Sequence, residues 1–363
     1  MESVNDWLLS ENIRHAVALQ RFTNGVVQRI IGKLNASDQR LYAELVLTLE
    51  GVQGTPFSAE RLESMLGSVR ALNAAAYEAI GRELTDELRK FVEYETSYQA
   101  QVLQASLPVQ VSVASVSPVQ AFTAAYAQPF RISKDGAVPM AQYMQGLTAD
   151  RARQVRDAVS LGWLEGETTD TIVRRIRGTK ARNFEDGLME GSRRHLEGMV
   201  RTATNHMANV AQQKTLEANE DVVKGWLFHA TLDGRTSITC ASLSGKVFPI
   251  GKGPIPPRHI NCRSAAVPVL KSFREMGLDI PEIVVEGRTR ASIDGQIPAD
   301  TSFTAWLRSK PAGFQDEVLG STRGKLFRAN EIEVDKFTNN KGVVYTLDQL
   351  RDRDAALFKK AGL

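Results

Sequence analysis

The sequence predicts a mainly helical α+β protein, in which an N-terminal helical bundle or arm precedes a helical C-terminal domain with a small β module. Three observations predict this fold class. Apolar residues recur at helical spacing through the first hundred residues, and residues 96–130 carry no charged side chain. Residues 226–263 then combine a turn signal, four prolines and both cysteines in a short non-helical span. We therefore expect a loop rich in Cys, His and Pro to close the β module.

The composition is that of an ordinary globular protein. The 363 residues are 42% hydrophobic and 24% charged, which is enough for two domains with a sizeable core. No apolar run reaches the roughly 20 residues that span a bilayer, and the acidic N-terminus lacks a secretory signal pattern. We therefore expect no membrane contact and assembly in the cytoplasm. Two cysteines exclude a disulfide framework.

The net charge of +3 is divided unevenly along the chain. Residues 1–103 carry a net charge of −4, so the remainder carries +7. This is a mild basic bias, and a dedicated nucleic-acid-binding protein would show a stronger basic stripe.

Residues 1–95 are predicted to form a helical N-terminal domain. The apolar pattern predicts a first helix that ends at Gly32, and Ser37 is placed to cap a second helix that ends at Gly51. Ser58 is placed to cap a long third helix. Apolar stripes of this kind are typical of a core or of a face that contacts another helix. The domain is therefore interpreted as a three-helix bundle or as a docking arm for a larger assembly.

Residues 96–130 are predicted to be an uncharged linker. Within it, Val109, Val111 and Val113 alternate with small polar residues, a pattern that suits a single strand. A lone strand is not stable by itself, so it would have to pair with the C-terminal domain or with another chain. An extended linker is favoured over strand addition to a partner.

Helical signals return after the linker. Thr148 is placed to cap one helix, and Thr168 or Thr169 is placed to cap a shorter helix that Gly178 closes. A longer helix is predicted for about residues 183–216.

A basic cluster lies at the end of the shorter helix. It contains no acidic residue and consists of Arg174, Arg175, Arg177, Lys180 and Arg182. Such a cluster can contact the phosphates of DNA. It can equally be a solvated helix end that the helix dipole favours, and this interpretation is preferred because no aromatic residues or groove-reading motif accompany it.

The β module contains the candidate site. A strand is predicted for residues 221–231, followed by an Asp-Gly turn and a second short strand, which together suggest a hairpin or meander. Three residues could bind a soft divalent cation: Cys240, His259 and Cys262. A structural zinc ion normally takes four N or S ligands, so Asp233 or His229 would complete the set. Zinc is the only cofactor that the sequence suggests.

Other interpretations of this cluster remain open. The cysteines can be small buried apolar residues or can form a disulfide, and His259 can bond backbone carbonyls or Asp233 and close the loop. Catalysis is a further alternative, because Asp233, Cys240, His259 and Cys262 could serve a thiol- or metal-dependent hydrolase or nuclease. No oxyanion hole, second carboxylate or phosphate-binding glycine loop accompanies them, so the sequence favours a non-enzymatic protein.

The module resembles the C-terminal domain of head-morphogenesis minor capsid proteins of tailed bacteriophages, the Mu F-like family. The resemblance rests on a Trp-containing strand, LDGRT, a Cys, a Leu/Gly turn ending in Phe, and PPxHxNCR. The positions that carry it include Trp226, Asp233, Gly234, Arg235, Thr236, Cys240, Leu243, Gly245, Phe248, Pro256, Pro257, His259, Asn261, Cys262 and Arg263. Many family members carry another Cys shortly before the position of Cys240, where this chain has Ser237, Ile238 and Thr239. This departure from the family pattern favours a site that is held together by hydrogen bonds, or a metal site with three ligands plus Asp.

The resemblance extends to both sides of the module. Upstream, Arg201, Thr202 and Asn205 lie where the family has an Arg-Thr helix motif. Downstream, a segment around Trp306 and Arg323 also matches, so that the resemblance covers roughly residues 131–350. It implies a Mu F-like head-morphogenesis domain over residues 131–270 and a C-terminal extension over residues 271–363. Thr346 is placed to cap the final helix of that extension.

A family member of this kind is a minor structural protein of the phage head. The resemblance implies a location in the virion, inside or at the head near the portal, and a role in procapsid assembly. It implies the portal protein and scaffold or major capsid protein as partners, contact with packaged DNA during packaging or ejection, and no small-molecule substrate. A DNA-binding module built on residues 174–182 is the remaining alternative.

Overall fold

The structure is a computed structural model that describes residues 4–51, 55, 58–107, 111–131, 136–279, 289–298, 301–330, 332–340 and 342–363. It confirms the predicted fold class. Helices dominate, and the main sheet is small, antiparallel and three-stranded. None of the described helices combines the length and the apolar character that crossing a membrane requires.

The helices are, in chain order, α1 (Val4–Glu50), α2 (Ala59–Met65), α3 (Gly67–Ala105), α4 (Pro118–Ala127), α5 (Met140–Leu164), α6 (Thr169–Arg177), α7 (Leu188–Glu217), α8 (Ile238–Leu243), α9 (Phe303–Arg308), α10 (Ala312–Leu319), α11 (Ser321–Asn330), α12 (Leu347–Arg353) and α13 (Ala355–Lys360). The strands are β1 (Phe130–Arg131), β2 (Ala137–Val138), β3 (Val223–His229), β4 (Val247–Phe248), β5 (Ala265–Leu270), β6 (Thr289–Ser292) and β7 (Gly295–Pro298).

The chain forms two compact units. Unit 1 comprises residues 1–20, 92–125 and 205–363, and unit 2 comprises residues 21–91 and 126–204. Helices α1, α3, α4 and α7 contribute residues to both units. The domain boundaries proposed from the sequence stay predictions.

The first helix corrects the predicted three-helix pattern. Gly32 does not end a helix and Ser37 does not begin one, because α1 is continuous from Val4 to Glu50. A glycine in a helix interior costs only about 1 kcal/mol relative to alanine. Buried Leu34 and Leu41 continue the apolar stripe past this point, so packing outweighs the weak local signals.

The third predicted helix begins as expected but is divided in two. Ser58 caps α2, and its Oγ accepts a hydrogen bond from the N–H of Arg61. Helix α2 ends at Met65 and α3 begins at Gly67. The apolar stripe nevertheless continues from one helix to the next, through buried Leu62 and Val69.

Unit 2 packs around a core of aliphatic side chains. The core is formed by Leu41, Leu45, Leu49, Leu62, Leu66, Val69, Val155, Val159, Ile172, Ile176 and Met189. A buried ion pair between Asp38 and Arg151 accompanies it. Helices α5 and α6 approach closely at Gly162, where a β-carbon would lie 2.4 Å from Cγ1 of Ile172.

The caps of α5 and α6 test two predictions. Thr168 caps α6 by accepting a hydrogen bond from the N–H of Thr171, and Gly178 ends this helix with φ of 90°, as predicted. Thr148, by contrast, does not cap a helix. It lies inside α5, where its hydroxyl donates to the carbonyl of Met144 at 2.9 Å, an alternative that threonine often adopts within helices.

Unit 1 contains the three-stranded sheet, with strand order β4-β3-β5. The predicted strand forms as β3, and its partner β4 pairs with it antiparallel, Trp226 opposite Phe248. Trp226 and Phe228 are fully buried in a core cluster that also contains Leu8, Leu103 and Leu216. Gly225 is required here, because a β-carbon would lie 2.3 Å from the carbonyl oxygen of Phe248.

Strand β5 has an outer edge that is closed by side chains. The N–H of Ala266 donates to Oδ1 of Asn209 at 3.0 Å, and the N–H of Leu270 donates to Oδ1 of Asn5 at 2.8 Å. Between them lies Pro268, which has no N–H to donate. An open strand edge invites pairing with another chain, and here the donors of the edge are satisfied or absent.

The uncharged segment is largely helical or held by side-chain amides. Helix α3 extends to Ala105 and α4 occupies Pro118–Ala127. The predicted strand does not form at Val111 and Val113, because Gln104 bonds the carbonyl of Val111 and the N–H of Val113. Asn219 likewise bonds both backbone groups of Ala114. The third residue of this prediction, Val109, lies outside the described residues.

The C-terminal part of unit 1 is a cluster of short helices. Its core contains Phe303, Trp306, Leu307, Phe327, Phe337, Leu350 and Phe358. Thr346 caps α12 as predicted, and Gln349 completes a capping box with it.

Candidate metal centre

Three elements of unit 1 bring the two cysteines and His259 together. Ser237 caps the short helix α8, and the N–H of Cys240 donates to its Oγ at 3.2 Å. The buried prolines Pro256 and Pro257 precede a turn in which the N–H of Cys262 donates to the carbonyl of His259. This turn leads directly into β5.

The turn is held in place by asparagines. Asn261 has φ of 59°, a left-handed conformation that asparagine tolerates better than most residues. From α7, Asn205 donates its amide to the carbonyls of Cys262 at 2.8 Å and Ser264 at 3.2 Å. A buried helix side chain therefore fixes the position of Cys262.

The side chains of Cys240, His259 and Cys262 converge. Sγ of Cys240 lies 3.3 Å from Nε2 of His259 and 3.7 Å from Sγ of Cys262. The three candidate ligand atoms all lie within 4.8 Å of one another. Both cysteines are buried and free, and His259 is half-buried. The structure thus brings together the three residues that the sequence nominated, and these residues could hold a metal ion.

The three groups alter one another's protonation. The hydrogen bond from Cys240, together with that from His259, lowers the pKa of the Cys262 thiol well below its usual value. The same contact with Cys262, together with burial, raises the pKa of Cys240. Burial lowers the pKa of His259, but its hydrogen bond and charge interaction with Cys262 outweigh burial and raise it.

Asp233 is not part of this group. Its carboxylate forms a two-bond ion pair with Arg263, in which Nη2 donates to Oδ1 at 2.7 Å. Oδ1 also accepts the N–H of Arg235 at 3.0 Å, and the hydroxyl of Thr236 lies 3.3 Å away. Among the described residues, the carboxylate of Asp233 is thus already bound by other groups of the protein. His229 does not belong to the group either, since it lies on β3 opposite Ala265.

The electrostatics of Asp233 follow from these contacts. Burial raises its pKa, but the hydrogen bonds and charge of Arg263, with those of Arg235 and Thr236, outweigh burial and lower it. A carboxylate in this state neither holds a proton near neutral pH nor offers a free oxygen, so it suits a structural contact better than general acid–base work.

The other residues of the sequence motif form contacts that stabilise the fold. The indole of Trp226 donates to the carbonyl of Lys252 at 3.1 Å. Arg201 bonds Oδ1 of Asn24 within unit 2, and the buried hydroxyl of Thr202 donates to the carbonyl of Gly198 at 2.6 Å. Arg235 itself is exposed.

Sequence reasoning missed one further residue at the site. The hydroxyl of Ser237 accepts a hydrogen bond from the N–H of Cys240 at 3.2 Å. Ser237 had a local signal, because a serine directly before a short apolar segment is a helix cap.

The basic cluster of unit 2 is partly neutralised. Arg174 pairs with Asp170 at 3.0 Å, and Arg175 pairs with Glu167 of the preceding loop. Arg177 stacks over the ring of Phe184, with its Cζ 4.8 Å from the ring centroid. In the described part of the chain, exposed Lys180 and Arg182 are left without an acidic partner among the ion pairs. These pairings weaken the case for a phosphate-binding surface.

Comparison with known proteins shows that part of this chain is similar to a phage family. Residues 153–267 match the family described as Phage Mu protein F like protein. The match includes the whole cluster and confirms the resemblance inferred from the motifs over this segment. The wider resemblance, out to residues 131 and 350, is not covered by the match and stays a prediction. No curated protein and no solved structure matches the chain.

Proposed function

We propose, from the match of residues 153–267 to the phage Mu protein F like family, that this chain is a minor structural protein of a tailed-phage head. We place its action in procapsid assembly near the portal. The family match carries this proposal, since the family suggests a head-morphogenesis protein. The portal, the scaffold or major capsid protein and packaged DNA are the proposed partners, and the virion is the proposed location.

The geometry of the β module supports a structural role. The polar motif residues bond to other parts of the same chain: Asp233 to Arg263, Asn205 to the turn before β5, and Trp226 to Lys252. The sulfurs of Cys240 and Cys262 are buried, at 1% and 3% residue exposure, where a substrate would not reach them without rearrangement. These contacts stabilise the fold of the module.

The proposal is tested in the phage or prophage that encodes the chain. The gene is deleted and supplied in trans, heads are purified, and quantitative mass spectrometry measures the ratio of this chain to the major capsid protein. We expect few copies per head in the complemented strain. We also expect the deletion to lower the yield of DNA-filled heads. Complete absence of the chain from purified heads would overturn the proposal.

Experiments on the purified protein distinguish two other functions from the structural role. A thiol- or metal-dependent hydrolase predicts that His259→Ala stays folded and loses turnover of an identifiable substrate. The structural role predicts that the same variant loses stability and head incorporation instead. A DNA-binding module predicts an affinity for duplex DNA that falls steeply with salt and on neutralising residues 174–182.

A further inference from the structure

Two of the three distances among the candidate ligand atoms match the coordination sphere of zinc. With Zn–S bonds of about 2.3 Å, a tetrahedral site separates two sulfurs by about 3.8 Å, and with Zn–N of about 2.05 Å it separates sulfur from nitrogen by about 3.5 Å. The corresponding distances here are 3.7 Å between the sulfurs and 3.3 Å between Sγ of Cys240 and Nε2 of His259. The remaining edge, from Cys262 to His259, is at most 4.8 Å. A small shift of the imidazole toward Cys262 would complete the triangle.

The imidazole is oriented as zinc-binding histidines are. Nδ1 of His259 lies 2.8 Å from the carbonyl of Ile260, so Nδ1 carries the proton and Nε2 presents its lone pair to the sulfurs. This backbone contact fixes both the tautomer and the plane of the ring. Nε2 lies 3.3 Å from the Cys240 sulfur, where a shared metal ion could bind both atoms.

The positions of the two cysteines are fixed by hydrogen bonds to their backbone. The N–H of Cys240 donates to Oγ of Ser237 at 3.2 Å, and Asn205 donates its amide to the carbonyl of Cys262 at 2.8 Å. Partners that hold the ligand residues in place are typical of the outer shell of a metal site.

We propose that Cys240, His259 and Cys262 bind one Zn²⁺ ion, with a solvent molecule as the fourth ligand. Asp233 is excluded as the fourth ligand, since Arg263, Arg235 and Thr236 already bind its carboxylate. Two thiolates and one imidazole form a borderline-soft donor set that suits zinc better than magnesium or calcium. The ion ties α8 to the turn before β5 and therefore stabilises the module.

The first test measures metal content. The full-length chain is expressed with added zinc, purified without chelator and analysed by elemental mass spectrometry. We expect one equivalent of zinc per chain. We expect Cys240→Ser, Cys262→Ser and His259→Gln to lose most of it, whereas His229→Gln and Asp233→Asn keep it. A folded wild-type chain without metal, or loss of zinc in Asp233→Asn while the chain remains folded by circular dichroism, would overturn the proposed ligand set.

The second test measures metal coordination in the wild-type chain, so it does not depend on whether the variants fold. Cobalt is exchanged for zinc in the wild-type chain, and the absorption spectrum is recorded. We expect intense ligand-field bands typical of tetrahedral cobalt and a thiolate-to-cobalt charge-transfer band. Absence of the charge-transfer band would contradict coordination by the cysteines, and weak ligand-field bands typical of octahedral cobalt would contradict the tetrahedral site.

The outcome is independent of the proposed head function. A chain that binds zinc and is absent from heads would leave the metal site intact and overturn only the assembly role. A chain that enters heads but binds no zinc would overturn the metal site and leave the assembly role intact.

Discussion

Arg263 and Asp233, 30 residues apart in the chain, form a two-bond ion pair, with Nη2 donating to Oδ1 at 2.7 Å and Nη1 donating to Oδ2. Arg263 directly follows Cys262, and Asp233 occupies the Asp-Gly turn after β3. The pair thus joins the two halves of the sequence motif, the LDGRT turn and the NCR turn. This contact explains why both turns carry a charged residue.

Replacing Asp233 by Asn should destabilise unit 1. The substitution keeps the shape of the side chain and removes its charge, which leaves the half-buried guanidinium of Arg263 without a counter-ion. Breaking a buried pair costs about 3–5 kcal/mol, and the partial exposure of Arg263 places the expected loss near 3 kcal/mol. Urea unfolding at neutral pH, followed by tryptophan fluorescence, measures it.

The matched control for this substitution is Asp221→Asn. Asp221 is exposed, and its replacement removes one negative charge without touching the Asp233 carboxylate. We expect this variant to lie within about 0.5 kcal/mol of the wild type. Equal losses in the two variants would show that net charge, and not the ion pair, carries the effect.

The same ion pair predicts that the stability of the protein depends on pH in the acidic range. Contacts with Arg263, Arg235 and Thr236 outweigh burial and hold the pKa of Asp233 below its ordinary value of 3.8. A lowered folded-state pKa means that the contribution is fully present above 3.8 and is lost as the pH falls below it. The stability difference between wild type and Asp233→Asn should therefore be constant from pH 7 to about pH 5 and should shrink below pH 4. A difference that vanished near neutral pH would contradict this assignment.

The sequence predicted those features that local patterns determine. The strand containing Trp226, the turn at Asp233 and the caps at Ser58, Thr168 and Thr346 all follow from neighbouring residues, and each is present. The convergence of Cys240, His259 and Cys262 was also expected, because prolines limit where the second half of the module can lie.

The failures came from contacts that act over a distance. Asp233 was predicted to complete a set of four metal ligands, but its carboxylate is bound by Arg263, 30 residues away in the chain. Sequence spacing does not show which acceptor a guanidinium selects. Strand β5 was missed because Pro268 argues against a strand. Its position on an edge whose donors are satisfied by Asn209 and Asn5 makes the proline acceptable.

The edge of β5 gives a third prediction. Asn209 is 3% exposed and accepts the N–H of Ala266, so Asn209→Leu would leave that donor buried without a partner. An unsatisfied buried donor costs about 1–3 kcal/mol. We expect a loss of that size and faster hydrogen exchange at Ala266. The surface substitution Asn340→Leu is the control, and similar exchange at Ala266 in Asn209→Leu and the wild type would contradict the role given to Asn209.

Two glycines of α5 give the last prediction, because they differ only in what surrounds them. A β-carbon at Gly162 would lie 2.4 Å from Cγ1 of Ile172 and 2.8 Å from Oε2 of Glu167, whereas at Gly146 it would meet nothing within 4 Å. Gly146→Ala should stabilise the helix by about 0.5–1 kcal/mol. Gly162→Ala should destabilise the contact of α5 with α6 by about 1–3 kcal/mol, since overpacking outweighs helix propensity. Hydrogen exchange of the backbone amides in α6 measures the effects of both substitutions. Increased protection of these amides in Gly162→Ala would show that Ile172 can move aside and that the close approach is not required.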